Sequence, residues 1–287
     1  MAVVNTNIAA SISQAALAKN ERALDSAMEQ LSTGKKINSA SDNAAGLAIS
    51  TRMTSQIRGL DQAVKNAHDA VSMISTGEGA LEEMTAMLQR IRELAIQAGT
   101  GTTDSSDRNY LNSEMRELLK EIDRIAENTQ WNGREILNGA AGGAGSDSVS
   151  FQVGMNASQT VTVSFGDFTD AAGKTMNSLA GFSLDAVTIA SALNKASQVL
   201  IAADIAIEAV STQRAAFGAA TNRLIHAVDN LTNVVVNAES TRSRILDTDY
   251  AEATSDLART QIIQQAGTAM LAQANQLPQT VLQLLNN

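Results

Sequence analysis

"LDQAVKNAHDAVSMISTGEGALEEMTAMLQRIRELAIQAG", Leu60 to Gly99, decides the fold. Two apolar series, each with a step of seven, interleave in it. One is Leu60, Ala67, Ile74, Leu81, Leu88, Ala95; the other is Ala63, Ala70, Gly77, Met84, Ile91, Ala98. A step of seven keeps one narrow stripe of a helix turned toward a partner helix. The small residues in its first part let that partner come close. The loop "GTGTTDSSD", Gly99 to Asp107, ends the run. A second helix follows, with Leu111, Met115, Leu118, Ile122 and Ile125 at alternating steps of four and three. Later in the chain Ala196, Ala203, Val210, Phe217, Leu224, Leu231 and Ala238 again repeat every seven. Their companion row of Leu200, Ile207, Val228 and Val235 is interrupted by Arg214 and Thr221.

Between these halves lies "GAAGGAG", Gly139 to Gly145, a linker composition. Val149, Phe151 and Val153 alternate, as do Val161, Val163 and Phe165, around the turn "GMNASQ". That pattern is a β-hairpin and the only β element the spacing marks. "NTQWNGREILNG", from Asn128, reads as turns. The expected fold is mostly α: a long coiled-coil-like helical bundle with a small β-hairpin in the middle and paired terminal helices.

Composition narrows the function. Aromatics make up only 3% of the 287 residues, and one proline, Pro278, leaves long helices unbroken. No cysteine is present, so disulfides and thiolate metal sites are excluded. A net charge of −9 argues against nucleic acid as a partner. No apolar run reaches the length of a membrane span. The opening "MAVVNTNIAASIS" lacks the basic and apolar regions of a secretory signal peptide.

Catalytic and cofactor signals fail one by one. In "LSTGKKINSASDNAAGLAIS", Leu31 to Ser50, a P-loop would need glycine where Glu29 stands and a hydroxyl where Lys36 stands. The stretch therefore reads as a connector between helices. His68 and His226 lie in no metal-ligand spacing and read as helix-surface or packing residues. Asp247 to Tyr250, "DTDY", opens like a calcium loop, but Ala251 and Glu252 break it. No nucleophile elbow exists. The chain is expected to be no enzyme and to need no cofactor.

The ends carry the functional signal. The first 18 residues and the segment from Thr260 to Asn287 contain no charged side chain. Leu17, Leu24 and Leu31 are seven apart at one end; Ile263, Met270, Leu277 and Leu284 are seven apart at the other. Their remaining faces are Gln, Asn, Ser and Thr, which tolerate burial when hydrogen-bonded far better than charges do. Terminal helices of this kind either complete the chain's own bundle or pack with copies from other chains. The absence of charge from every face favours self-assembly.

Together these residues resemble bacterial flagellin. The likeness is carried by "LSTGKKINSASDNAAGLAIS", "LQRIRELAIQA" (Leu88 to Ala98), "NTQWNGREIL", "STRSRILDTDYA" (Ser240 to Ala251) and "QIIQQAGTAMLAQANQLPQTVLQLL" (Gln261 to Leu285). It covers roughly residues 1–165 and 185–287, in collinear order. Leu246 stands where the family often has an acid and Trp131 where Phe is common.

The resemblance implies a structural subunit that self-assembles into an extracellular helical flagellar filament for swimming motility. It implies an inner-tube domain of residues 1–45 and 250–287, a helical wall domain of 46–140 and 184–249, and a short hairpin and variable region of 141–183. Gly34, Lys35, Lys36, Asn38, Asp42 and Gly46 would form the connector between tube and wall. The implied partners are further copies of the chain, an export chaperone on the C-terminal helix, the flagellar type III export apparatus, and the hook-junction and cap proteins. Leu88, Gln89, Arg90, Leu94, Gln97 and Glu114 would be the set recognised by the vertebrate Toll-like receptor for flagellin. A hook–filament junction protein, or another exported coiled-coil assembly protein, is the alternative reading.

Overall fold

The computed structural model describes residues 7–143, 145–169, 176–186 and 188–285. In chain order they form α1 (Ile8–Thr33), α2 (Ala40–Ala98), α3 (Ser105–Asn128), β1 (Gln130–Trp131), β2 (Arg134–Glu135), β3 (Ser148–Gln152), β4 (Thr160–Ser164), α4 (Asn177–Ala180), α5 (Ile189–Leu246) and α6 (Tyr250–Leu285). Two compact units result: Met1–Ile57 with Val236–Asn287, and Arg58–Val235.

The unit Arg58–Val235 is built on the two apolar series of α2. Leu60, Ala63, Ala67, Ala70, Ile74, Leu81, Met84, Leu88, Ile91, Ala95 and Ala98 are all buried. Gly77 fills the gap in the second series for a steric reason. A methyl group there would come within 3.1 Å of the Phe217 ring. From α5, Ala203, Val210, Phe217 and Leu224 enter the same core, α3 adds Met115 and Ile122, and Ala196 is buried against Gly99. Phe165 packs on Phe217 with ring centroids 5.2 Å apart and planes tilted by 58°, the geometry that ring quadrupoles favour. Arg214, which breaks the α5 row, is matched across the helices: its Nε donates to Glu78 Oε1 at 2.8 Å.

The hairpin pairs β3 with β4 antiparallel, Val149 against Val163 and Phe151 against Val161. Val161 and Val163 are buried while their neighbours face out, as a period of two requires. The hairpin's turn lies against α2, where Gly59 leaves room for the Met155 Cβ and Asn66 Nδ2 donates to Gln152 O at 3.0 Å.

The structure adds a β element that the sequence pattern did not mark. "NTQWNGREILNG" holds the two-residue ladder β1–β2 in addition to turns, with Gln130 opposite Glu135 and Trp131 opposite Arg134. Asn132 and Gly133 both have positive φ, 50° and 77°. That is the Asn-Gly turn whose twist matches a hairpin. Strands of two residues are too short to show an alternation, so only the turn residues carried the signal.

Candidate assembly surface

The other unit holds the charge-free ends. Asn7 caps α1, its Oδ1 accepting from the Ala10 N–H at 3.0 Å. Its Nδ2 donates to Ala274 O at 2.8 Å, which ties the start of α1 to α6. The two helices run antiparallel. Leu17 seats over Gly267, where a methyl group would meet Leu17 Cδ2 at 2.7 Å. Buried Asn20 donates through Nδ2 to Thr260 O at 2.8 Å and to Gln264 Oε1 at 3.0 Å. An amide inside a helix seam fixes register, because sliding would leave its donors unpaired at a cost of about 1–3 kcal/mol.

The seam between α1 and α6 differs from the apolar series read in the sequence. On α1 it uses Leu17, Leu24 and Leu31, all half-buried, with Asn20 and Ala27 buried. On α6 it uses Ala253, Thr260 and Ala274, all buried, and half-buried Gly267. Half-buried Leu257, Gln264 and Leu271 flank them. Ile263 and Met270 are not in this seam. They are 47% and 64% exposed. The side chains of Leu277 and Leu284 lie outside the described residues.

The exposed residues cluster. Ile263, Ala266 and Met270 follow one another at three and four along α6, so they share a flank. The antiparallel pairing that sets Asn7 at Ala274 and Leu17 near Gly267 brings Ile12, 65% exposed, to the level of Met270. A groove of about 640 Å³ runs along the pair, lined by Ala16, Ala23, Ala27 and Ile263 and by the charged Lys19, Asp256 and Arg259. Ile262 is also exposed, at 66%.

The connector is built by hydrogen bonds. Gly34 ends α1 in the left-handed conformation, φ 69°, and its N–H bonds Gln30 O at 2.9 Å. Lys36 N donates to Leu246 O at 2.7 Å and Thr248 N to Gly34 O at 3.0 Å, so the chain after α1 pairs with the chain after α5. Asp42 Oδ2 accepts from the backbone N–H of Asn38 at 3.0 Å and of Ser39 at 2.9 Å. Asn38 Nδ2 returns a bond to Lys35 O at 3.0 Å. Asn43 has non-helical φ and ψ of −163° and 96° and breaks α2 near its start. Its Oδ1 accepts from Gly46 N at 2.8 Å and recaps the helix. Buried Ile37 covers Gly46, where a methyl group would lie 2.5 Å from Ile37 Cδ1. Lys35 and Lys36 are exposed.

The hydrogen bond from Ser39 N–H, then that from Asn38, holds the Asp42 carboxyl below its ordinary value of 3.8. A carboxylate whose folded pKa is lowered stabilises the fold above its unfolded pKa, and that stabilisation is lost as pH falls through the folded value. The expected result is a connector that loosens only below the ordinary carboxylate range. Protease cleavage at residues 35–45, followed against pH, checks it: Asp42→Asn should remove the acid-dependent step.

Of the six residues of the receptor set, the structure separates two groups. Leu88 and Leu94 are completely buried in the helical core, where they hold α2 in place. Gln89, Arg90, Gln97 and Glu114 are exposed. Arg90 donates through Nε to Glu114 Oε1 at 2.9 Å and through Nη1 to Glu93 Oε2 at 3.1 Å. Those bonds, Glu114 first, raise the guanidinium above its ordinary value. Glu114 thus belongs to an ion-paired patch joining α2 to α3.

Comparison with known proteins agrees with this architecture. The family model described as the bacterial flagellin N-terminal helical region matches residues 4–141, and the C-terminal helical region matches 200–285. A flagellin of Bacillus subtilis is 43% identical, with 98% of this chain and 99% of the relative covered. One of Halalkalibacterium halodurans is 42% identical, with 99% of each covered. Among solved structures, a Vibrio parahaemolyticus protein assigned as flagellar hook-associated superposes with a TM-score of 0.58 at 14% identity, covering 72% of this chain and 100% of that one, a likeness of fold alone. Paired terminal helices with charge-free ends, two family regions in order and near-full-length relatives lead to one conclusion: the chain belongs to the bacterial flagellin family and is a structural subunit of the flagellar filament.

Proposed function

We propose that the α1–α6 pair makes the lateral contacts that hold the filament together, through the flank of Ile12, Ile263, Ala266 and Met270. The observation that carries this is their exposure on helix segments without charge, α1 through Ala18 and α6 from Thr260 onward. A face meant for bulk water would carry Lys and Glu; here large apolar side chains stand beside amides. Leu17, Leu24 and Leu31 hold the pair together within one chain. Leu277 and Leu284 continue the sevenfold series of Ile263 and Met270 in sequence. In this reading residues 1–45 and 250–287 form the inner tube, 46–140 and 184–249 the wall, and 141–183 a thin outer part. Gly34, Lys35, Lys36, Asn38, Asp42 and Gly46 fix the spoke between tube and wall. Seeded polymerisation of the purified protein, followed by electron microscopy, tests it. Long filaments are expected; short stubs that stop growing would instead favour a hook-junction protein, and no polymer would refute both.

Delivery and recognition follow from the same reading. An uncovered apolar C-terminal helix needs an export chaperone before assembly, and the subunit leaves the cell through the flagellar type III apparatus to add beneath the cap. The exposed patch of Gln89, Arg90, Gln97 and Glu114 suits recognition of the free subunit by the Toll-like receptor for flagellin, with Arg90 as its anchor. A receptor-reporter assay checks this. Arg90→Ala should lose about tenfold or more in potency, the scale of one hot-spot residue, and cross-linked filament should be silent. No response to wild-type monomer would refute the assignment.

A further inference from the structure

The chain has ten methionines, and their surroundings differ sharply. Met73, Met84, Met115 and Met176 are buried. Met28, Met155 and Met270 are exposed, and Met270 is the most exposed of the three. Met270 is also the one placed on the uncovered flank between Ile263 and the level of Ile12. Its thioether faces solvent in the free subunit, where dissolved oxidants reach it. The same side chain becomes desolvated if the flank is covered by another copy.

We propose that Met270 is a peroxide-sensitive modification site that gates incorporation of the subunit into the polymer. This rests on the reading that copies of the chain cover the α1–α6 flank. The step balances simply. The thioether sulfur attacks one oxygen of hydrogen peroxide, the O–O bond breaks, and the sulfur, oxidised by two electrons, keeps that oxygen as a sulfoxide. The other peroxide oxygen leaves as water after taking the proton from the oxygen now on sulfur. The product replaces a flexible apolar group with a strongly polar one. On a solvated helix face this change costs nothing, so the oxidised subunit still folds. Against a neighbouring copy the S–O group loses its water, and these segments offer only neutral amide and hydroxyl donors to replace it. The described residues of α6 from Thr260 onward bear no charged side chain, and neither do those of α1 through Ala18. No ammonium or guanidinium of these segments therefore stands ready to accept the new dipole. Once the polymer has formed, the same burial shields the thioether. Oxidation therefore selects against free subunits and spares assembled ones.

The test uses the full chain. Soluble subunits are treated with hydrogen peroxide at a dose giving less than one sulfoxide per chain on average, then seeded with untreated filament fragments. Pelleted polymer and remaining supernatant are digested, and the sulfoxide fraction at each methionine is read by mass spectrometry. Met270 sulfoxide should be depleted about tenfold from the pellet relative to the supernatant, the scale set by burying an unpaired polar group. Enzymatic reduction with both methionine sulfoxide reductases should return the supernatant subunits to the pellet. Preformed filaments given the same peroxide should show Met270 oxidised about tenfold less than free subunits, because the same cover that excludes water excludes peroxide. Equal Met270 sulfoxide in pellet and supernatant, with untreated protein polymerising normally, would overturn the inference and leave filament formation standing. Failure of the untreated protein to polymerise would overturn the reading beneath it. Met270→Leu supplies a second measure: the ratio of polymerisation after and before peroxide, each variant against its own untreated control, should approach one for Met270→Leu and stay well below one for wild type.

Discussion

Removing residues 260–287 yields a soluble, largely helical subunit that forms no filaments. The helical unit Arg58–Val235 has its own core of α2, α3 and α5, sealed by Phe165 and Phe217, and none of its buried residues comes from α6. Its folding therefore does not depend on the deleted segment. The terminal unit does. Thr260 and Gln264 supply the acceptors for Asn20, Gly267 receives Leu17, and Ala274 O accepts from Asn7. Without them α1 keeps its leucines but loses its partner, and most of a helix's stability in a protein comes from such packing. Sedimentation after seeding checks the loss of polymer, and circular dichroism checks that most helix remains. Filaments from the truncated chain would place the assembly contacts elsewhere.

Ile263→Lys separates folding from assembly more finely. Ile263 is 47% exposed and outside the α1–α6 seam, so lysine there can reach water in the free subunit. The melting temperature of the monomer should barely move. In the polymer the same ammonium would be desolvated without a partner, which costs about 3–5 kcal/mol per subunit. That is enough to raise the critical concentration for polymerisation by about a hundredfold or more, since every 1.4 kcal/mol is a factor of ten. Leu17→Lys should behave in the opposite way. Leu17 is half-buried over Gly267, so a charge there damages the terminal unit before any second copy is involved. Equal polymerisation of Ile263→Lys and wild type would mean that the flank stays wet.

Much of the fold is legible in the sequence because its helical core follows one simple rule. A step of seven, held from Leu60 to Ala98 and again from Ala196 to Leu224, marks the residues that the structure buries. The alternation of Val161 and Val163 marked the hairpin in the same way. At the ends the rule becomes ambiguous. The helix α6 carries two overlapping sevenfold series, and the bulkier one, through Ile263 and Met270, looked like the seam. The structure spends the smaller series, Ala253, Thr260, Gly267 and Ala274, on the pairing within the chain. Small residues permit the close approach that Leu17 and Asn20 require. Periodicity reports that a helix face is meant to be covered, but not whether the cover is the same chain or another copy. Leu88 and Leu94 teach the related lesson for recognition. They share a stretch with Arg90 and Gln97, yet helical geometry turns the leucines inward and leaves the polar pair outside.

The most direct test exploits the absence of cysteine. Ile263→Cys gives a chain with one thiol, at the centre of the proposed contact flank, and a small apolar side chain in place of another. Its rate of alkylation is measured in free subunits and in sedimented filaments under the same conditions. The account expects fast labelling of the subunit and labelling at least about tenfold slower in the filament, as burial removes thiol access. Equal rates in both forms, with filaments confirmed by electron microscopy, would contradict the claim that neighbouring copies cover the α1–α6 pair.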